Sequence, residues 1–326
     1  MSCGHASLGD RKGFPPAMYH YPLLGGLQMF SRFYWGKGLL IGAFISLPVA
    51  AQTTIEAYGD SLTAGMLSNS QATNVPSFAS VSRILNDFAN YVFSGRDPRW
   101  IVPHQRADLA WPASLAQILQ EAGEPTQVRN VAVSGSKVNE LSRQITEVSQ
   151  GSGQTRAFFF TGHNDMCNNP LSASELAAHF GRAYDEALRR WDAKHEGASA
   201  FIVAMGEIHR VYETLDGHRW YRGTERDFTC DDSWSRLFYY CPSHYYKLRN
   251  NTLRDEMVAK MRAIRNTLES VVTTWSKQSR KNQFRYVNST EGATLDKSYF
   301  AVDCFHLSER GQSELARTVW QQVQTN

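Results

Sequence analysis

The amino-acid sequence predicts an α/β protein in which a five-stranded parallel sheet carries helices on both faces. Three observations lead to this fold class. The 326 residues are 42% hydrophobic and 20% charged, a balance typical of a globular protein. Short apolar runs alternate with segments of helical periodicity, and strands separated by helices form parallel βαβ units. The sequence shows no internal repeat that would indicate a solenoid or a propeller.

Each strand and helix can be assigned from a local pattern. Short apolar runs predict the five strands, at residues 54–58, 127–133, 157–161, 200–205 and 284–288. Helical patterns lie at residues 111–123, 136–148, 172–191, 252–275 and 308–323. The third helix should begin with a capping box from Ser172 to Glu175. Its predicted buried face consists of Leu176, Phe180, Tyr184, Leu188 and Trp191.

Residues 1–51 have the layout of an N-terminal extension followed by a secretory signal peptide. Arg32 and Lys37 precede an apolar run at residues 39–49, and small residues lead up to a cleavage site after Ala51. The run is shorter than the about 20 residues that span a bilayer. We therefore expect cleavage and a secreted or periplasmic protein, with an uncleaved anchor as the alternative.

Residues 52–326 are expected to form a single domain with two long insertions. These insertions, at about 67–110 and 209–250, interrupt the alternation of strands and helices. The second is rich in aromatic residues, which either pack the loop or bind substrate. The translation start is Met1 or Met29, and both leave this domain unchanged.

The charge of the domain argues against nucleic acid as a partner. Residues 1–51 hold four of the 34 basic residues and one of the 31 acidic residues, so the rest of the chain carries 30 of each. A domain without net charge has no electrostatic attraction for nucleic acid or for an anionic membrane surface.

Cysteine usage agrees with export. Four cysteines follow the predicted cleavage site, namely Cys167, Cys230, Cys241 and Cys304, and an even number is typical of disulfide-bonded exported proteins. Three connectivities are possible. We favour a local Cys230–Cys241 bond with Cys167–Cys304, and bonds from Cys167 and Cys304 to the cysteines of the aromatic insertion are the alternative. The sequence lacks the paired Cys or His spacing of a zinc site, so no metal is expected.

Polar residues follow four of the five predicted strands. Ser61 follows the first strand, Gly135 the second, Asn164 the third, and Asp303 and His306 the fifth. Carboxyl ends of parallel strands meet at one edge of a sheet, so these four loops are expected to converge. There His306 can act as the base for a Ser61 nucleophile, and Asp303 can orient it. The Ser61 and Gly135 amides and the Asn164 side chain can supply three oxyanion donors.

Neighbouring polar residues are given structural roles. Asp60 and Asp165 are interpreted as acceptors that tie loops together, and His163 and His209 as residues of the site's rim. A competing S-x-x-K pattern at residues 134–137 is discounted, because the K-T-G motif of enzymes with that nucleophile does not follow.

The polar loops resemble the four blocks of SGNH hydrolases of the GDSL esterase/lipase family. In order, the blocks are Gly-Asp-Ser-Leu at 59–62, the Gly135 loop, Gly-His-Asn-Asp at 162–165 and Asp-Cys-Phe-His at 303–306. The Asn-Asp-x-Cys form of the third block is similar to phospholipase B-like members. The resemblance covers about residues 54–320. It implies a flavodoxin-like three-layer α/β/α sandwich, ester hydrolysis through an acyl-enzyme, and no cofactor or metal.

The sequence thus predicts an exported serine esterase or lipase that acts as a monomer on small-molecule or lipid esters and touches lipid surfaces transiently. Lipid or phospholipid acyl esters are the expected substrates, and acetylated sugars or cell-wall polysaccharide are the alternative. A non-catalytic carbohydrate-binding surface protein, with the aromatic residues as sugar platforms, is the alternative from another class. The intact set of site residues favours the enzyme.

Overall fold

A five-stranded parallel sheet lies at the centre of the computed structural model. The structure describes residues 52–68, 106–148, 154–166, 169–222, 227–237, 249–288 and 290–325. These residues belong to one structural unit, Val49–Asn326.

The sheet confirms all five predicted strands. Its strands are β1 Thr53–Gly59, β2 Thr126–Asn130, β3 Gln154–Phe160, β4 Ser199–Val203 and β7 Gln283–Val287, and a separate antiparallel pair consists of β5 Arg219–Arg222 and β6 Asp227–Thr229. The order across the sheet is β2-β1-β3-β4-β7, and all four neighbouring pairs are parallel. Strand β2 ends before the predicted residue 133, although the N–H groups of Val131 and Val133 still donate to carbonyls of β1.

Helices cover both faces of the sheet. Within the described residues they are α1 Ser61–Ala64, α2 Trp111–Glu121, α3 Leu141–Thr146, α4 Ala173–Lys194, α5 Ile208–Leu215, α6 Cys230–Asp232, α7 Asn251–Gln278 and α8 Glu309–Thr325. Short 3₁₀ turns lie at Val138–Glu140, Asn164–Met166 and Lys297–Tyr299, and one π-helical turn lies at Ser233–Leu237.

Alternate residues of β1, β3, β4 and β7 belong to two separate cores, one on each face of the sheet. On β3, Phe158 and Phe160 pack with helices α2 and α8, whereas Ala157 and Phe159 pack with α3, α4 and α7. This alternation is the period-2 pattern of a strand buried on both sides. The predicted three-layer α/β/α arrangement is therefore confirmed.

Local signals place most helix boundaries correctly. Ser172 caps α4, since its hydroxyl accepts from the Glu175 N–H at 3.3 Å while the Glu175 carboxylate accepts from the Ser172 N–H at 2.9 Å. The whole predicted apolar stripe of α4 is buried. The helix predicted at 136–148 begins later, with a tight turn at Val138–Glu140 before α3, and the Val138 N–H at the start of that turn donates to the Asp165 carboxylate at 2.9 Å.

The aromatic insertion folds back onto the loop that carries Asp303 and His306. Trp220 and Phe228 share a buried cluster with Phe300 and Val302. This packing brings Cys230 and Cys304 to a Cα separation of 5.5 Å, and the two form a disulfide.

The favoured pairing of Cys230 with Cys241 and of Cys167 with Cys304 is therefore wrong. Sequence proximity favoured the local bond, but packing between the insertion and a distant loop decides the pairing. Cys167 and Cys241 lie outside the described residues, as does most of the first insertion.

None of the helices in the described part of the chain combines the length and apolar character needed to cross a bilayer. The predicted signal peptide lies outside the described residues.

Candidate active site

Ser61 lies at the carboxyl edge of the sheet, as the first residue of helix α1 directly after β1. Asp60 caps this helix, because its carboxylate accepts from the Leu62 N–H at 3.1 Å. The helix ends after one turn at Gly65, whose positive φ of 77° suits a residue without a Cβ. The short turn holds the Ser61 side chain in a nearly buried position, with 6% of its surface exposed.

The structure brings together the three predicted members of a catalytic triad. The distance from Ser61 Oγ to His306 Nε2 is 2.7 Å, and the distance from His306 Nδ1 to Asp303 Oδ2 is 2.5 Å. The other Asp303 oxygen accepts from the N–H groups of Phe305 and His306 at 3.1 and 3.0 Å. Asp303 accepts only, so Nδ1 carries the proton and Nε2 is free to accept from Ser61.

The two remaining predicted residues lie on loops that are bonded to the end of β1. Gly135 has a positive φ of 82°, and nothing lies within 4 Å of the position that a Cβ would occupy. The Asn164 side-chain amide donates to the Ser136 carbonyl at 3.0 Å. The Ser136 hydroxyl in turn donates to the Gly59 carbonyl at 2.8 Å, two residues before Ser61.

Asp60 and Asp165 tie loops together as predicted. Asp165 links the loops after β2 and β3 through its bond to the Val138 N–H. Burial raises the pKa of Asp165 to about 7. The bond from Val138 and the charge of Lys137 lower the pKa, and the nearby Asp60 raises it further.

The two other histidines differ from the prediction. His163 is buried in the wall of a cavity and not at an exposed rim; its Nδ1 lies 3.2 Å from Asp60 Oδ2 and its Nε2 accepts from the Gly206 N–H at 3.3 Å. His209 lines a separate polar cavity of about 100 Å³ with Arg265 and Tyr286. Partial burial lowers the pKa of His209.

Sequence reasoning missed two buried glutamines that support the turn carrying Ser61. Gln144 holds both backbone groups of Gly59, accepting from its N–H at 2.9 Å and donating to its carbonyl at 2.8 Å. Gln312 accepts from the Trp111 N–H at 2.9 Å and donates to the Leu62 carbonyl at 3.1 Å. The available signal was a glutamine on the apolar face of each predicted helix.

The aromatic insertion also supports the loop that carries the histidine. Cys304 has a positive φ of 59°, which costs a residue with a Cβ about 1–2 kcal/mol. The disulfide holds its side chain, and the Trp234 indole N–H donates to its carbonyl at 3.2 Å. The Ser233 hydroxyl donates to the Val302 carbonyl at 3.2 Å. The insertion thereby stabilises the strained backbone between Asp303 and His306.

An apolar cavity of about 450 Å³ is lined by no triad residue but by three residues that adjoin site residues in the sequence. Leu62, His163 and Phe305, which line it, are the sequence neighbours of Ser61, Asn164 and His306. Most of its remaining wall is apolar, and Glu207, Glu291 and Glu314 add carboxylates. Across the described ranges, no group of three or more His, Cys, Asp or Glu side chains is arranged to hold a metal ion.

Comparisons with known proteins place these features in context. The sequence pattern of the GDSL-like Lipase/Acylhydrolase family matches residues 55–319. No curated protein sequence matches the chain.

One similar solved structure is an extracellular lipase from Streptomyces rimosus, which is 14% identical to this chain. The match covers 83% of this chain and 99% of the lipase, with a TM-score of 0.45. A family 3 carbohydrate esterase from Clostridium thermocellum is 12% identical. The match covers 84% of this chain and 96% of the esterase, with a TM-score of 0.45. Phospholipase A1 from Streptomyces albidoflavus NA297 is 10% identical. The match covers 84% of this chain and 100% of the phospholipase, with a TM-score of 0.44.

Proposed function

Since the chain belongs to the GDSL-like lipase/acylhydrolase family of ester-hydrolysing enzymes, we propose that it is an exported serine esterase with Ser61 as its nucleophile. One observation carries the assignment of the site. Asp303, His306 and Ser61 form an unbroken chain of hydrogen bonds, and all three side chains are buried. A serine hydroxyl becomes an effective nucleophile when a correctly oriented base lies within hydrogen-bond reach.

Acylation uses this chain of contacts. Ser61 Oγ attacks the ester carbonyl while its proton passes to His306 Nε2. Asp303 stabilises the resulting imidazolium without taking its proton. When the tetrahedral intermediate collapses, His306 donates that proton to the leaving alcohol. A water molecule then attacks the acyl-enzyme with His306 again as base, which releases the acid and restores Ser61.

The negative oxygen of the tetrahedral intermediate is stabilised by three donors. The Ser61 N–H is in the first turn of α1, where backbone N–H groups have no acceptor within the helix. The Gly135 N–H is the second proposed donor, and the space that a Cβ would occupy at this residue is open, with nothing within 4 Å. Asn164 uses one amide hydrogen to bond Ser136, and its second hydrogen is available to the oxyanion. Removal of one such donor typically costs about 3–4 kcal/mol in the transition state.

Lipid or phospholipid acyl esters are the proposed substrates. The apolar cavity supports this choice, because Leu62 and Phe305 in its wall are the sequence neighbours of Ser61 and His306, and its volume is in the range of small-molecule sites. A short acetyl group would leave most of such a cavity unfilled. The enzyme would act as a monomer, with transient contact with lipid surfaces.

The test is an ester panel of increasing acyl length, together with acetylated glycans, assayed with the wild type and with Ser61→Ala. We expect Ser61→Ala to fold normally and to lose turnover by a factor of about 10⁴–10⁶. Ser270→Ala, an exposed serine on α7, should keep full activity.

Retention of a tenth of the wild-type rate by Ser61→Ala would refute Ser61 as the nucleophile. If acetylated glycans are hydrolysed faster than any longer acyl ester, the proposed lipid substrates are wrong and acetylated sugars take their place. The assignment of Ser61 as the nucleophile would not be affected.

A further inference from the structure

We propose that His163 is a positioning residue, which locks the loop carrying Asn164 to the turn carrying Ser61. The inference rests on the proposed function of those two residues. His163 immediately precedes Asn164, and its partner Asp60 immediately precedes Ser61. A single imidazole therefore connects the nucleophile turn with the loop of a proposed oxyanion donor.

Three loops meet at this ring. His163 lies after β3, Asp60 after β1, and Gly206 after β4. The Nδ1–Asp60 Oδ2 distance is 3.2 Å, and the Gly206 N to Nε2 distance is 3.3 Å. His163 is 4% exposed and Asp60 is fully buried, so water does not readily replace either bond.

These contacts determine the tautomer of His163. A backbone N–H can only donate, so the Nε2 that Gly206 contacts carries no hydrogen. The ring hydrogen is then on Nδ1, where the Asp60 carboxylate accepts it. His163 is thus neutral, with both nitrogens paired, and it does not act as a base towards Ser61.

Hydrogen bonding has to be separated from packing, because the ring also has aromatic neighbours. Its centroid lies 5.2 Å from that of Phe160 and 6.5 Å from that of Phe305. Phenylalanine keeps this packing and removes both bonds, which leaves the Asp60 oxygen and the Gly206 N–H unpaired. Glutamine loses the ring but offers an amide N–H to Asp60 and a carbonyl to Gly206.

Misplacement of Asn164 should affect the transition state more than the binding of substrate. The oxyanion exists only after Ser61 has attacked, and a displacement of about 1 Å in a positioned group can cost about 10²-fold in rate. A defect in positioning therefore lowers kcat and leaves KM nearly unchanged.

The kinetic experiment compares the variants His163→Phe and His163→Gln with the wild type on one soluble acetyl ester, whose short acyl group leaves most of the cavity that His163 lines unfilled. We expect His163→Phe to lower kcat by about 10- to 100-fold with KM within about threefold, and His163→Gln to stay within about fivefold of the wild-type kcat. His179→Phe, the same change on helix α4, should keep the wild-type kcat.

A kcat for His163→Phe above half that of the wild type would overturn the proposal. An equal loss in His163→Gln would also overturn it, because the ring and not its bonds would then matter.

A second measurement needs no activity. The ¹⁵N NMR spectrum of the full-length wild type, with His163 assigned by comparison with the variant spectra, should show a neutral imidazole with its hydrogen on Nδ1. A hydrogen on Nε2 would refute the bond from Gly206 and with it the proposal. Residual activity of Ser61→Ala, in contrast, would refute the proposed nucleophile and leave this tautomer unchanged, so the two failures are distinguishable.

Discussion

Asp165 is the residue whose ionisation most directly links the site to the stability of the fold. Burial raises its pKa from the ordinary 3.8 to about 7, so the folded protein binds its proton more tightly than the unfolded chain does. The stabilising contribution of this proton is fully present below about pH 4. It is lost as the pH rises through about 7, because the free energy of unfolding falls wherever the folded state holds more protons.

We therefore expect Asp165→Asn to stabilise the protein more at high pH than at low pH. Asparagine keeps an acceptor for the Val138 N–H but carries no charge. The difference in unfolding free energy between variant and wild type should grow between pH 5 and pH 8, by roughly 1–4 kcal/mol. Urea denaturation at the two pH values measures this. Asp255→Asn, at an exposed position of α7, serves as the control, and an equal difference at both pH values would contradict the prediction.

The individual site residues differ in how far the sequence could predict them. Ser61, Asn164 and His306 each follow a strand within a recognisable block, so their convergence follows from the rules of a parallel sheet. The role of His163 depends on Asp60, which is 103 residues away, and that of Gln144 on Gly59, which is 85 residues away. No local pattern encodes such partners, since they are decided by packing between elements.

At the scale of the elements, the junction of β1 with β3 sets the position of Ser61, the proposed nucleophile. Gly59 pairs with Phe160 in the register of the two strands. A Cβ on Gly59 would lie 2.1 Å from the Phe160 carbonyl oxygen, closer than any real contact. Backbone cannot yield as a flexible side chain does, so substitution has to push the strands apart just before Ser61.

Gly59→Ala is accordingly expected to destabilise the fold by about 2 kcal/mol or more, as overpacking of a core does. It should also lower turnover, because the end of β1 carries the turn with Ser61. The control is Gly123→Ala, where φ is positive, unlike at Gly59, but nothing lies within 4 Å, so only about 1 kcal/mol of backbone strain applies. Chemical denaturation of both variants gives the comparison, and equal losses would show that the contact with Phe160 is relieved without cost.

At the scale of the whole molecule, the Cys230–Cys304 bond joins the insertion to the loop that carries Asp303 and His306, across a sequence separation of 74 residues. We expect the double variant Cys230→Ala/Cys304→Ala to lose about 2–4 kcal/mol of unfolding free energy, mainly through the greater entropy of its unfolded chain. Turnover should fall as well, because the backbone between Asp303 and His306 loses a restraint. Denaturation and ester hydrolysis measure the two effects. Unchanged stability and rate would mean that packing of the insertion alone holds the loop.

The insertion also marks the limit of prediction from the sequence for the whole molecule. The sheet and its helices follow from alternating patterns that recur along the chain, and these patterns predict the layer order. The pairing of Cys230 with Cys304 follows instead from a cluster in which Trp220 and Phe228 meet Phe300. An aromatic-rich sequence indicates that such a cluster forms but not which loop it covers.

The last prediction concerns the N-terminus of the mature protein. Thr53 begins β1, is buried, and donates its N–H to the Pro125 carbonyl at 2.8 Å, whereas Gln52 is exposed. Cleavage after Ala51 would leave this first strand whole, whereas cleavage two or more residues later would remove the bond. We expect the full chain, expressed in a host with a secretory pathway, to be exported with the N-terminal sequence Gln-Thr-Thr. Terminal sequencing and intact mass test this, and Ala51→Arg should block processing because the residue before the cut has to be small. An exported protein that still begins at Met1 or Met29 would identify the segment as an uncleaved anchor.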